Sequence, residues 1–234
     1  MFQFKQFAIQ QDKCAMKIGT DAVLIGAWCP VDNNPNSVLD IGAGTGILSL
    51  ILAQRTIAEQ IDAIEIDESA YEQCVDNFEN SSWSDRLFCF HAGLDEFVED
   101  PECEYDLIIS NPPFYTEDFK SENEQRDLAR FEDALPFHDL IEAADLLLSE
   151  KGIFVVIIPF KEEFNFTSLS EGFDLFPFKI THVKGTPTSK IKRSLIAFSR
   201  VDAEFSMDEL IIETSRHVYT QKYINLTKDF YLKM

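Results

Sequence analysis

With 234 residues, 45% of them hydrophobic, the chain has enough apolar material for one sizeable core, and residues 1–234 read as a single domain. Its 41 acidic against 20 basic residues give a formal charge of −21, which favours solubility and argues against indiscriminate binding to polyanions. The five cysteines form no C-x-x-C pair and no even disulfide framework, no apolar run is long enough to span a bilayer, and no amino-terminal signal pattern is present. These features predict a cytoplasmic protein with reduced thiols, no membrane partner and no metal.

Ser37-Val38-Leu39-Asp40-Ile41 is a short apolar strand closed by a glycine-rich turn, and residues 47–53 continue as a buried helix. A second strand at 61–66 leads into a helix from Ser69 to about Glu79, with Ser69 and Glu72 placed as a capping box. Residues 87–91 form a third strand. The acidic run that follows, with Asp95, Glu96, Glu99, Asp100, Glu102, Glu104 and Asp106, reads as a solvated loop into a fourth, fully buried strand at 105–110. Helical periodicity covers 137–148, and Gly152 introduces the most apolar strand, 153–158. Strands and helices alternating at these lengths predict an α/β fold with a mostly parallel sheet covered on both faces. Beyond Pro159, residues 178–184 and 194–200 suggest an antiparallel pair at one sheet edge, joined through Gly185, Thr186, Pro187 and Thr188. A last helix is expected over 221–232, with Tyr223, Leu226, Phe230 and Tyr231 on its apolar side.

Asp40-Ile41-Gly42-Ala43-Gly44-Thr45-Gly46 carries a glycine at every second position, so the backbone can turn tightly and a ligand can approach atoms that a β-carbon would block. The dinucleotide fingerprint requires glycine at 47 or 49, where the chain has Ile47 and Ser49. A carboxylate at Asp40 repels a pyrophosphate but can receive the amino group of an amino-acid moiety, which S-adenosylmethionine carries. Glu65, about 20 residues after the loop, is placed to accept both hydroxyls of a ribose, with Asp67 as a close competitor. An ordinary tight turn is the alternative for the glycines alone.

Asn111-Pro112-Pro113-Phe114 follows the buried fourth strand, and its prolines end that strand by removing two backbone donors. An Asn side-chain oxygen and a backbone carbonyl beside an aromatic ring suit a planar NH2 group whose ring is held by stacking. Between Leu175 and Val201 there is no acidic residue, and Lys190, Lys192 and Arg193, three cations within four residues, are the best candidates there for contacts to phosphates. Thr20 and Asp21 suit either closure over the cofactor or a helix cap.

The segment from Asp40 through Gly46, together with Asn111-Pro112-Pro113-Phe114, resembles the Rossmann-like S-adenosylmethionine-dependent methyltransferases that modify exocyclic or amide nitrogens. More narrowly, Asp12-Lys13-Cys14-Ala15-Met16-Lys17-Ile18-Gly19-Thr20-Asp21-Ala22-Val23-Leu24-Ile25-Gly26-Ala27-Trp28 is similar to the amino-terminal signature of the bacterial family that methylates adenine N6 in valine tRNA, 3′ of the anticodon. Residues 107–114, 194–199 and 226–234 share that similarity. The resemblance implies a Rossmann-like methyltransferase fold in which residues 1–36 are an N-terminal extension covering the cofactor site. It implies S-adenosylmethionine held by Asp40, Gly42, Gly44, Gly46, Glu65 and Ile66, catalysis at Asn111, Pro112, Pro113 and Phe114, and tRNA as partner with no obligate protein partner. Many such enzymes place Asp after the third strand to bind the cofactor's adenine amine. This chain has Gly93 there, with Asp95 as a possible substitute. The same Asn-Pro-Pro carbonyls would also serve a protein glutamine N5-methyltransferase, and a noncatalytic RNA-binding factor is the reading from another class.

Overall fold

The computed structural model describes residues 1–14, 17–99, 104–113, 135–201 and 203–234, so Ala15, Met16, Cys103 and Phe114 lie outside it. In chain order the elements are β1 (Phe2–Gln3), β2 (Ala8–Ile9), α1 (Thr20–Trp28), β3 (Ser37–Ile41), α2 (Ile47–Arg55), β4 (Gln60–Glu65), α3 (Glu68–Glu79), β5 (Leu87–His91), α4 (Leu94–Glu99) and β6 (Tyr105–Ser110). They continue with α5 (Phe137–Leu147), β7 (Leu148–Pro159), α6 (Glu163–Glu171), β8 (Phe176–Lys184), β9 (Ile191–Ser199), β10 (Ser206–Ile211), β11 (Glu213–Ser215), β12 (Val218–Tyr219) and α7 (Gln221–Thr227).

Eight strands form one sheet in the order β10-β8-β9-β7-β6-β3-β4-β5. The run from β7 through β5 is parallel, as the alternation of strands and helices predicts. β9 is antiparallel to both neighbours, whereas β10 pairs in parallel with β8. The expected antiparallel pair is therefore present but does not form the edge. β10 covers it, and that strand escaped sequence reading because Ser206, Met207, Asp208 and Glu209 are exposed and lack apolar alternation.

Side chains of the central strands alternate between two core layers, the period-2 consequence of the pleat. Val38, Leu107, Ile109, Val155, Ile157, Leu195 and Ala197 face α1, α2, part of α3 and the N-terminal segment through Phe4, Phe7 and Ile9. Leu39, Ile41, Ile108, Phe154, Val156, Ile158, Ile196 and Phe198 face α5 and Phe166 of α6. Each fully buried Val, Leu, Ile or Phe among them contributes roughly 1.5–3 kcal/mol of transfer free energy, so the central strands firmly support the loops at their ends.

Several boundaries differ from expectation for local reasons. The helix after β4 starts one residue earlier, because Asp67 rather than Ser69 supplies the cap, its carboxylate accepting from Ala70 N–H at 2.7 Å. Part of the expected acidic loop is α4, a short helix whose Leu94, Phe97 and Val98 pack partly buried against the core, an apolar pattern too short to stand out among the acids around it. β7 starts at Leu148 and carries Gly152 inside it, where a β-carbon would lie 2.7 Å from Leu148 and 2.9 Å from the Tyr105 carbonyl. The last helix ends at Thr227, followed by turns through Phe230.

Candidate active site

The strand order reverses between β3 and β6: the chain moves outward from β3 to β4 and β5, then returns to β6 on the other side of β3 and continues to β7. In an open α/β sheet the crevice at the carboxyl ends of the strands beside such a reversal is where ligands bind. The loop after β3 carries the glycines, and Asn111 follows β6, so the two predicted halves of the site meet at this switch point.

Gly42, Gly44 and Gly46 have φ values of +74°, +56° and +76°, and they serve different ends. A β-carbon on Gly46 would lie 2.5 Å from the Phe78 ring and 2.8 Å from Cys74 Sγ, so this glycine permits the loop to pack on α3. A β-carbon on Gly42 or Gly44 would meet nothing within 4 Å. Those two positions line open space. Gly42 and Ala43 both donate to the Ile64 carbonyl at 3.0 Å, which pins the loop to β4.

Glu65, at the end of β4, accepts from Gly44 N–H at 2.8 Å through Oε2 and from Asp67 N–H at 2.9 Å through Oε1. A carboxylate has about four lone-pair positions, so capacity remains for two hydroxyls. Asp67 accepts from Ala70 N–H through Oδ1 as the α3 cap, so both acids already hold backbone N–H groups. Ile66 is 71% exposed, an apolar side chain standing at the strand end, and its carbonyl lies 3.0 Å from His91 Nε2. A β-carbon on Gly93 would fall 2.6 Å from Asp95 Oδ1 and 3.7 Å from Ile66 Cδ1. The Asp95 carboxylate thus occupies the place where a side chain at 93 would begin, beside Ile66.

Asp40 is completely buried rather than lining the crevice. Its Oδ2 accepts from Ser49 N–H at 3.1 Å and Ser49 O–H at 2.8 Å, while Oδ1 has no partner among the described residues. Burial raises the carboxyl pKa to about 7 and the nearby Glu65 charge adds to the rise, against the two Ser49 hydrogen bonds. An amino group would reach Oδ1 only after the loop shifts.

Asn111 and Pro113 are half-buried and Pro112 is buried, at the carboxyl end of β6. Among the described residues the Asn111 amide has no hydrogen-bond partner. Ser110 O–H donates to the Ile41 carbonyl at 2.8 Å and ties the motif to the end of β3. Farther along this edge, Lys190 and Lys192 are exposed. Arg193 instead reaches Asp21 at 2.8 Å, joining β9 to the first turn of α1. Asp21 is therefore a tether and not a cap: the N-cap position is Gly19, with no side-chain bond.

Two residues that spacing did not suggest hold the N-terminal segment against the site. Gln73 Oε1 accepts from Lys13 N–H at 3.0 Å and Cys14 N–H at 3.3 Å. Asn77 accepts from Gln10 N–H at 2.8 Å and donates to the carbonyls of Gln10 at 3.0 Å and of Thr45 in the glycine loop at 2.9 Å. Their only sequence signal is that two amides fall four residues apart on the buried face of an otherwise amphipathic helix.

A glycine-loop cradle, a strand-end acid and an Asn-Pro-Pro turn across a switch point define a Rossmann-like methyltransferase, and residues 27–175 match the methyltransferase small domain. A protein described as a predicted O-methyltransferase of Agrobacterium tumefaciens shares the fold, with a TM-score of 0.69 at 20% identity over 90% of this chain and 96% of that one. Over 235 residues the chain is 70% identical to the tRNA1(Val) (adenine(37)-N6)-methyltransferase of Flavobacterium johnsoniae, covering 100% of each. It is 69% identical to the enzyme of the same name in Flavobacterium psychrophilum, again over 100% of both. The chain belongs to this family of tRNA1(Val) (adenine(37)-N6)-methyltransferases.

Proposed function

We propose that the chain methylates the exocyclic N6 amine of the adenine at position 37 of valine tRNA, using S-adenosylmethionine. The observation that carries the reading is the Asn111 amide at the end of β6, unpartnered among the described residues and tied through Ser110 to the strand bearing the open Gly42–Gly44 cradle. The residues present suit this cofactor. Gly42 and Gly44 leave room for close backbone approach, Glu65 retains acceptor capacity for a ribose, and Ile66 offers an apolar face to a flat base. Asp95 stands beside Ile66 in place of the missing acid at Gly93, ready to accept from an adenine amine. Asp40, buried with one oxygen unpartnered among the described residues, is assigned to the cofactor's amino group, which unlike the sulfonium can donate a hydrogen bond to it.

When bound, S-adenosylmethionine supplies an electrophilic methyl group on a sulfonium. Adenine N6 is a poor nucleophile because its lone pair is delocalised into the ring. The Asn111 side-chain oxygen and the Pro112 carbonyl accept the two N–H bonds and favour a pyramidal nitrogen whose lone pair is free to attack. Both acceptors gain strength as positive charge develops on nitrogen, the requirement for lowering the barrier rather than merely binding substrate. The alkylated nitrogen is acidic and loses its proton afterwards, so no strong base is needed. Phe114, outside the described residues, is assigned to stack on the target base once it has left its neighbours. Lys190 and Lys192 are assigned to RNA phosphates, and Arg193 to holding their strand against α1.

The test is to incubate purified protein with methyl-labelled cofactor and, separately, total tRNA, a protein release factor and DNA, and to locate the label by mass spectrometry. The reading requires N6-methyladenine in tRNA. Label in glutamine alone would overturn it in favour of a protein substrate.

A further inference from the structure

The segment just beyond β7 leaves the sheet at the same edge as the Asn-Pro-Pro turn. Ser110 pairs with Val156, so the residues after each run out side by side, and Pro159 leads into a single 3-10 turn, Phe160–Glu162, and then α6. Phe164 on α6 is 82% exposed, more than any other phenylalanine, tyrosine or tryptophan among the described residues, and Phe160, four positions earlier, is 39% exposed. This exposure is not fraying. The helix is anchored by Phe166, fully buried among the rings of Phe137, Phe154 and Phe198, and by buried Ser170. Phe160 is itself braced, its ring meeting His182 edge-on with centroids 5.0 Å apart.

The charges around these rings suit a polyanion despite the acidic chain. Glu163 is turned inward, accepting from Ser194 O–H and lying 2.8 Å from His182 Nε2. Glu162 lies 3.8 Å from Lys161. Lys192 is exposed at a β-bulge of β9, beside Arg193, whose register partner is Pro159, the residue before Phe160. An exposed ring on an anchored helix, reached from the segment that pairs with the lysine-bearing start of β9, has the composition of a surface for single-stranded nucleic acid, in which rings take bases and cations take phosphates.

We propose that Phe164, together with Phe160 and with Lys192 as a phosphate contact, is a stacking platform for an unpaired nucleobase flanking the target adenine. This rests on the tRNA reading above. It assigns substrate affinity, not chemistry, to α6.

The test uses the full-length protein and an anticodon stem-loop carrying 2-aminopurine next to the target adenine. Wild type should quench the probe on binding, Phe164→Ala should not, and Phe164→Trp should restore quenching. With valine tRNA, Phe164→Ala should raise KM about 10-fold with kcat unchanged, the size expected for losing one base–aromatic stack, while calorimetry shows the same affinity for S-adenosylmethionine. Equal quenching and equal KM in Phe164→Ala, with wild type still forming N6-methyladenine, would overturn the platform alone. No N6-methyladenine from wild type would overturn the underlying reading and the platform with it.

Discussion

Replacing Asp40 by Asn removes a buried charge while keeping its shape, and the consequence can be worked out from the structure. Burial lifts this carboxyl from 3.8 to about 7. At about 1.4 kcal/mol per unit, keeping it ionised costs the folded protein on the order of 4 kcal/mol. The unfolded chain loses this proton near pH 4 and the folded chain holds it to about pH 7, so the contribution to stability is full below the unfolded value, falls as pH rises through this window and is level above it. Asp40→Asn has no such proton. Urea unfolding at pH 5 and pH 8 should show wild type losing roughly 2–3 kcal/mol more than the variant. The buried amide left without a partner at the Oδ1 position lowers the variant's stability by about 1–3 kcal/mol, but equally at both pH values, so the slope isolates the charge. Parallel losses in the two proteins would refute the reasoning. Calorimetry at pH 6 supplies the functional counterpart: binding of the positively charged amino group should release a proton from wild type and none from Asp40→Asn.

Other substitutions separate the parts of the site. Gly44→Ala should cost about 1 kcal/mol of stability for its left-handed backbone and weaken cofactor binding at least 10-fold by calorimetry. Gly46→Ala, which drives a methyl group into Phe78 and Cys74, should instead lower stability by about 1–3 kcal/mol, read by thermal unfolding. Asp95→Ala should reduce affinity for S-adenosylhomocysteine but leave affinity for its inosine analogue unchanged; equal losses for both would remove Asp95 from adenine recognition. In Lys190→Ala/Lys192→Ala the dependence of log affinity for tRNA on log salt should become shallower by roughly 1.4, about 0.7 for each single-strand phosphate that a lysine no longer neutralises. An unchanged slope would remove both lysines from the RNA path.

What was legible in the chain depended on how much of each element is buried. Strands 37–41, 87–91 and 105–110 have the bounds the sequence predicts, because apolar runs end abruptly in polar or glycine-rich residues. The glycine loop was legible for a related reason: positive φ at 42, 44 and 46 leaves few residues other than glycine possible. α4 and β10 were not: the apolar Leu94, Phe97 and Val98 of α4 span barely one turn and are only partly buried, and β10 exposes its first four residues. The sequence suggested Ser69 as the cap, whereas Asp67 takes that place because the helix begins at Glu68, a boundary that local composition does not decide. Gln73, Asn77 and Phe164 take their meaning from contacts between distant segments or from exposure. Asn77 links residue 10 to residue 45, and no spacing rule reaches across those gaps.

The central claim is that two carbonyl oxygens, one of them on Asn111, activate the target amine without taking part in holding the cofactor. Its most direct test is single-turnover methylation of valine tRNA by Asn111→Ala at saturating labelled S-adenosylmethionine, with cofactor affinity measured alongside. The account predicts a rate loss of about 100-fold or more with cofactor affinity within about twofold of wild type. A variant that transfers the methyl group at a near-normal rate would contradict it.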